Sequence, residues 1–354
     1  MDIVGQTHVF VTTKILPTIK KQHHRLFTFG IKAISLTPYD SLGSNARQIV
    51  ENTCTASSRI YRLVSNKTMV INFHLLVKLL GINKDSFINV DFSTFCGFQT
   101  LAFAKQTGKG RALPVWNDCI TYPIEKEGSQ NIFVLDQIQR FGKALGFFPS
   151  FVFDRGFWIP CVMKFFLKRK IIFYLRIKKG QHLAWVQRKQ SNKGKRGKSG
   201  KKAYIIGNHT KDATITVFGY HMRLIVSPPP PRQRNPKKSQ NTEPWYIITN
   251  DMDSSREEVL HIYATRFEIE ETFKDYKHIQ KLKRLRIKTC ETFTILLWFA
   301  SLAFWLAFWV GEERIPKKVH PKKKRSFFRI FWEDIQRAFR QETLSKLVTI
   351  PAYG

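Results

Sequence analysis

Acidic residues are scarce in this chain. Across 354 residues there are 26 Asp and Glu against 59 Lys and Arg, a formal net charge of +33. A surface so short of negative charge excludes partners that are themselves basic and points to a polyanion. The positive charge runs along the whole length, which favours nucleic acid over an anionic membrane surface. Cysteine is also sparse. Cys54, Cys96, Cys119, Cys161 and Cys290 form no C-x-x-C pair and have no zinc spacing, so reduced thiols are expected and a disulfide framework is not. The start, MDIVGQTHVFVTTK, has neither the basic opening nor the continuous apolar run of a signal peptide, so the expected location is the cytoplasm. Hydrophobic residues make up 43%, enough for a substantial core and more than one domain.

One stretch lacks both Pro and Gly: Ser254 to Leu282, SSREEVLHIYATRFEIEETFKDYKHIQKL. It is expected to be one helix. Ser255 with Glu258, or Ser254 with Glu257, makes a capping-box start. At about 100° per residue, Tyr263, Arg266, Glu270 and Lys277 fall within a sector of roughly 60°. Ile262, Ile269, Phe273 and Tyr276 border that row on one flank, Leu260 and Phe267 on the other. Glu257, Glu268, Glu271 and Asp275 are expected to meet solvent. A polar row between apolar flanks suits the floor of a cleft; chance charge pairs on a surface helix are the plainer alternative.

Upstream, residues 1 to 83 are mixed and partly helical, with helices expected over Ala46–Ser65 and Met69–Leu80. DNA-end binding and simple helical packing are both open for this region, since it shows no clear helix-turn-helix pattern. From Ser86 the pattern turns to strands: FINVDFSTF, then Phe98–Gln106, then Gly110–Pro123. A helix over Asn131–Leu145, the short apolar strand of PSFVFDRGF, a helix over Phe157–Lys168 and a strand over Ile171–Ile177 follow. Asp91 lies inside the first strand and Asp154 at the carboxyl end of the fourth. An acid within an apolar strand needs a reason.

From 180 to 250 a flexible basic loop, QRKQSNKGKRGKSGKKA, precedes β-like runs AYIIG, ATITVFGYHMRLIVS and EPWYIITN. An extended linker, SPPPPRQRNPKKSQN, separates the last two. The uncharged run Phe293–Gly311 meets the length rule for a membrane span. A buried core helix is the preferred reading, because soluble-enzyme sequence flanks it. The tail carries PKKVHPKKKR and an amphipathic stretch over Ser326–Arg340, open to dimer contact or packing.

The spacing Tyr263, Arg266, Glu270, Lys277 resembles the signature of the insertion sequence four class of transposases, whose mark is Tyr/Arg/Glu/Lys on the helix carrying the last catalytic acid. The piece RIYRLVSNK (Arg59–Lys67) also resembles a segment of that class, and the resemblance covers about residues 59 to 311. The element order resembles a ribonuclease H-like core, in which the first and fourth strands are neighbours. The implied fold is α/β: a ribonuclease H-like mixed sheet, an inserted β-rich domain and helical N- and C-terminal regions. The implied division is 1–83, 84–179 and 251–311 as the split core, 180–250 as the insertion, and a basic 312–354.

The resemblance implies a cut-and-paste DNA transposase. Asp91, Asp154 and Glu270 would be both catalytic residues and ligands of two Mg²⁺ ions, with Mn²⁺ as a substitute. Carboxylate oxygens suit these hard cations, and a metal pair can serve both the attacking and the leaving oxygen. Tyr263, Arg266 and Lys277 would hold DNA phosphates, and Trp185, with Trp245 and Trp158 as rivals, would stack on a flipped base. The implied partners are transposon terminal inverted repeats, target DNA and a second copy of the chain, at a bacterial nucleoid, with no membrane. A non-catalytic basic DNA-binding protein and an inactive relic are the alternatives.

Overall fold

The structure is a computed structural model. It describes residues 79–121, 129–178, 211–228, 244–278 and 287–312, together with Thr13, Ser58, Arg62, Val77, Gln280, Leu282, Arg329 and Glu333. The expected helices before residue 79, the strand AYIIG, the basic loops within 180–250 and the amphipathic stretch 326–340 lie outside these residues, apart from the isolated positions named.

Eight strands form a single mixed sheet in the order β3-β2-β1-β4-β5-β8-β7-β6. β1 (Phe87–Phe95), β2 (Phe98–Lys105) and β3 (Leu113–Thr121) make an antiparallel meander. β4 (Ser150–Phe153) joins β1 in parallel, and β5 (Phe173–Ile177) joins β4 in parallel. β6 (Asp212–Val217), β7 (Tyr220–Val226) and β8 (Tyr246–Thr249) continue the same sheet antiparallel beyond β5. The described strands of the 180–250 segment are thus an extension of the core sheet. Two hairpins turn on residue pairs with left-handed backbone. Cys96 and Gly97 have φ of 51° and 82°, and Phe218 and Gly219 have 51° and 83°. That geometry matches the twist of the flanking strands.

Helices cover both faces. On one lie α1 (Gln130–Leu145) and α2 (Pro160–Arg169). Ser129 caps α1 by accepting from the Ile132 N–H, and Gly146 ends it at φ 79°. The buried stripe of α1 presses Phe141 against Phe103 and Phe151, and Phe166 of α2 stacks on Phe151 at 5.2 Å. The other face carries α3 (Arg256–Ala264), α4 (Phe267–His278) and α5 (Cys290–Glu312). Over Cys290–Trp309, α5 is long and apolar enough to cross a membrane, yet most of it is buried within the fold. Polar pins fix it on β3: the Trp305 indole N–H donates to the Pro114 carbonyl at 2.7 Å, and the Asn117 amide donates to the Ser301 hydroxyl at 3.0 Å. Such pairings satisfy polar groups in a protein interior.

Two expectations for the long helix need correction. It is two helices, broken at Thr265 and Arg266. The capping box at Ser255 and Glu258 is present as expected. Secondly, Glu268 and Asp275 are buried, not solvated, while Phe267 of the supposed core flank is 37% exposed. The buried acids dock α4 onto the loop between β2 and β3. The Glu268 carboxylate accepts from the N–H groups of Thr107 at 2.8 Å and Gly110 at 2.7 Å, and Asp275 pairs with Arg111 at 2.6 Å. A buried carboxylate that collects backbone donors is stabilised where a lone one would not be. Replacing Glu268 by Ala leaves two N–H groups without a partner. Urea unfolding should show a loss of about 2–3 kcal/mol; an unchanged midpoint would mean the loop is not held this way.

Candidate functional site

The break between α3 and α4 is where the site is built. In an unbroken helix the Ile262 carbonyl would accept from the Arg266 N–H. Here Arg266 N–H turns back to Tyr263 O at 3.1 Å, and Glu268 and Ile269 bond to Thr265 and Arg266 in the same tightened manner. The Thr265 hydroxyl donates to His261 O at 2.9 Å, a contact that favours bending. The released Ile262 carbonyl is taken by a side chain from the loop after β2, and a second side chain on β1 adds to the carbonyls of the break. The Gln106 amide donates to Ile262 O at 3.0 Å and to Asn89 Oδ1 at 2.7 Å. Asn89, fully buried on β1, points its own amide at Thr265 O and Arg266 O, at 3.5 and 3.4 Å.

That clamp sets the acids' surroundings. Asn89 and Asp91 share one face of β1, two residues apart. The parallel register pairs Val90 with Phe153, so Asp91 and Asp154 are the next positions on neighbouring strands. Arg266 enters among them with its side chain only 3% exposed. Its Nη2 donates to Glu270 Oε1 at 2.5 Å, and its Nη1 stands 3.6 Å from Asp91 Oδ2. The Tyr263 hydroxyl donates to Asp154 Oδ1 at 3.4 Å. The rings of Tyr263 and Phe267 lie 5.8 and 4.9 Å from the guanidinium carbon, and Trp245 packs on both rings. The structure thus brings together Asp91, Asp154, Glu270, Arg266 and Tyr263.

Lys277 is placed differently. Its ammonium lies 5.2 Å from the Phe95 ring, four residues along β1 from Asp91. The row of four therefore follows β1 on a broken path, with α4 alone carrying Glu270 and Lys277. Trp158 stacks on Phe218 at 6.2 Å, and Trp185 lies outside the described residues.

The family model for the transposase DDE domain matches residues 127–306, just over half of the chain. The chain belongs to the transposase DDE domain family. The matched span of this DDE-domain chain includes Asp154 and the whole of α3 and α4, and begins after Asp91. Comparison with curated proteins gives no match. A solved structure of piggyBac transposase, a synaptic complex with hairpin DNA, is similar with a TM-score of 0.46 and 10% identity. The likeness covers 99% of this chain and 84% of that one.

Electrostatics across the DDE-domain site are unbalanced. Burial pushes the Asp91 carboxyl up to about 6, and the Asp154 and Glu270 charges add to this. Arg266 and the bond from the Phe92 N–H pull the other way. Burial acts to lower the Arg266 guanidinium, but Tyr263, Asp154, Asp91 and Glu270 prevail and raise it, so it stays a cation. Burial foremost raises the Tyr263 phenol, which stays neutral. One arginine faces three carboxyl groups. Their hard oxygens are the donor type a divalent cation takes. As the side chains stand, no three His, Cys, Asp or Glu among the described residues are close enough to hold a metal ion. The donor set fits such an ion in kind; its present arrangement fits the guanidinium.

Three residues escaped the sequence reading. Asn89 and Gln106 hold the helix break. Arg176, buried on β5, lies on the same sheet face and acts on the Tyr263 phenol. Its signal was available: a guanidinium inside the apolar strand FYLRI is as unexpected as the acid in β1. Asn89→Ala removes the partner of Gln106 and the donor to two carbonyls. Chemical denaturation should register a loss of about 1–3 kcal/mol; a change below about 0.5 kcal/mol would show that the break holds itself open.

Proposed function

We propose that this DDE-domain chain is a cut-and-paste transposase of the insertion sequence four class, cleaving transposon ends and joining 3′-hydroxyl ends to target DNA. The observation that carries the reading is the meeting of Tyr263, Arg266 and Glu270, from one broken helix pair, with Asp91 and Asp154 from adjacent strands. The strand order 3-2-1-4-5 within the sheet supports a ribonuclease H-like core split into 84–179 and 251–311. The segment 180–250 then extends it, and the flanking 1–83 and 312–354 would serve DNA-end binding and a homodimer contact.

Asp91, Asp154 and Glu270 would hold divalent cations, Mg²⁺ or in its place Mn²⁺, which supply Lewis-acid stabilisation to both oxygens of an in-line displacement. The chain's own residues do the rest. Asp91 lies within β1 and Asp154 directly follows β4, so the sheet holds their backbones side by side. Tyr263 can donate to a phosphate oxygen without adding charge, and Arg266 can offer a forked contact. Lys277, farther along α4, adds a point charge where the DNA backbone would run beside β1. Trp185 is assigned to stack on an unpaired base during hairpin formation. With +33 charges, affinity for DNA comes mainly from the basic surface, and a bacterial nucleoid is the proposed location.

This division of labour predicts that Asp154→Ala abolishes Mg²⁺-dependent cleavage of a transposon-end substrate while mobility-shift affinity stays within about threefold of wild type. Cleavage by that variant would remove Asp154 from the chemistry. Salt-sensitive binding by the wild type with no cleavage on any end substrate would favour a DNA-binding role alone. Lys277→Ala should melt like wild type and lose end cleavage or hairpin formation by about tenfold or more. Wild-type cleavage, or a lowered melt that accounts for the loss, would return Lys277 to packing on Phe95.

A further inference from the structure

Arg266 is buried with an incomplete set of bonds. Its Nε and Nη1 make no hydrogen bond, Nη1 standing only in an ion pair with Asp91, and Nη2 donates to Glu270. A guanidinium has five donors, and leaving several unsatisfied in an interior is costly. What holds it there is charge: Asp91 at 3.6 Å, Glu270 at 2.5 Å and the nearby Asp154. The aromatic rings of Tyr263 and Phe267 brace it from the sides. Arg266 bridges Asp91 and Glu270 through Nη1 and Nη2.

We infer that Arg266 is the resident counter-ion of the acid cluster, and that a divalent cation binds only by displacing its guanidinium. This rests on the reading of the three acids as metal ligands. Without an ion, the Asp154 and Glu270 charges act against that of Asp91, and the guanidinium neutralises part of the cluster's charge. The same guanidinium would be repelled by an entering ion and released from Asp91 and Glu270. It leaves toward the open side of Glu270, whose carboxylate is 38% exposed. A DNA phosphate arriving there finds a freed fork and not one already committed to a salt bridge. Ion and DNA binding are coupled through one side chain, so each should strengthen the other.

The test is calorimetric titration of the DNA-free full chain with Mn²⁺ at low ionic strength. Arg266→Gln, which removes the competing charge, should bind Mn²⁺ about tenfold or more tightly than wild type. Asp154→Asn should abolish the saturable binding in both backgrounds. If Arg266→Gln binds no more tightly while Asp154→Asn still abolishes binding, the counter-ion inference falls and the metal-ligand reading stands. If neither protein shows Asp154-dependent binding, both fall. Should Arg266→Gln not fold, the wild type decides. In ¹⁵N-arginine-labelled protein, the Arg266 Nε–H should exchange slowly without ion and at least tenfold faster with saturating Mg²⁺. Exchange unaffected by Mg²⁺ would overturn the proposal.

Discussion

The break at Thr265 and Arg266 determines how the sheet and the helices meet. Had α3 and α4 run on as one rod, the Ile262 carbonyl would be satisfied internally. Because the rod is bent, the Gln106 amide replaces the missing helical bond to Ile262 O, and the Asn89 amide, itself bonded to Gln106, reaches the Thr265 and Arg266 carbonyls. That exchange locks α4 beside β1. It delivers Arg266 to Asp91, and Glu270 one turn later, with Lys277 over Phe95. The Glu268 contacts with the same loop secure the opposite side of α4. The helix is therefore held on two sides by polar groups, and the acid cluster lies between them.

What could be read in the sequence was local. Strand β1, with its acid at Asp91, follows from alternation and bounding turn residues, and the start of α3 from Ser255 and Glu258. The burial of α5 follows from its composition and setting. What escaped depends on partners far away in sequence. Nothing near Thr265 announces that Asn89 will claim its carbonyl. Nothing in α4 distinguishes Glu268, which meets two backbone N–H groups, from Glu271, which lies more open to solvent. Periodicity placed both on one polar face, and the loop from Thr107 to Arg111 separated them. The same limit applies to β6, β7 and β8. Their alternation marks them as strands, but membership in the core sheet comes from the antiparallel pairing of Tyr174 with Thr249 and its neighbours.

The cluster at Tyr174 shows how that extended sheet supports the site from below. The Tyr174 hydroxyl donates to Asp251 at 2.6 Å, and Asp251 in turn accepts from the N–H groups of Asp253 and Ser254 just before α3. Arg223 of β7 joins the same corner by donating to Ser254 O at 2.5 Å. The start of α3 is thus anchored by β5 and β7, and its end by β1. A helix fixed at both ends has little freedom to slide, so the bend between α3 and α4 stays in register with Asp91.

The pinning of α5 on β3 has a consequence for how the chain is made. Pro114 and Asn117 are synthesised long before the residues that satisfy them, which lie 191 and 184 positions later. β3 is an edge strand of the sheet, and until Trp305 and Ser301 emerge its apolar face is uncovered. The helix meant for that face is itself hydrophobic enough to attract a membrane or a chaperone. Closure of the fold waits on contacts 184 and 191 positions apart in sequence, which makes assembly slow relative to the formation of the β1–β3 meander. A nascent chain halted before α5 would carry its acids on a sheet face still uncovered over β3.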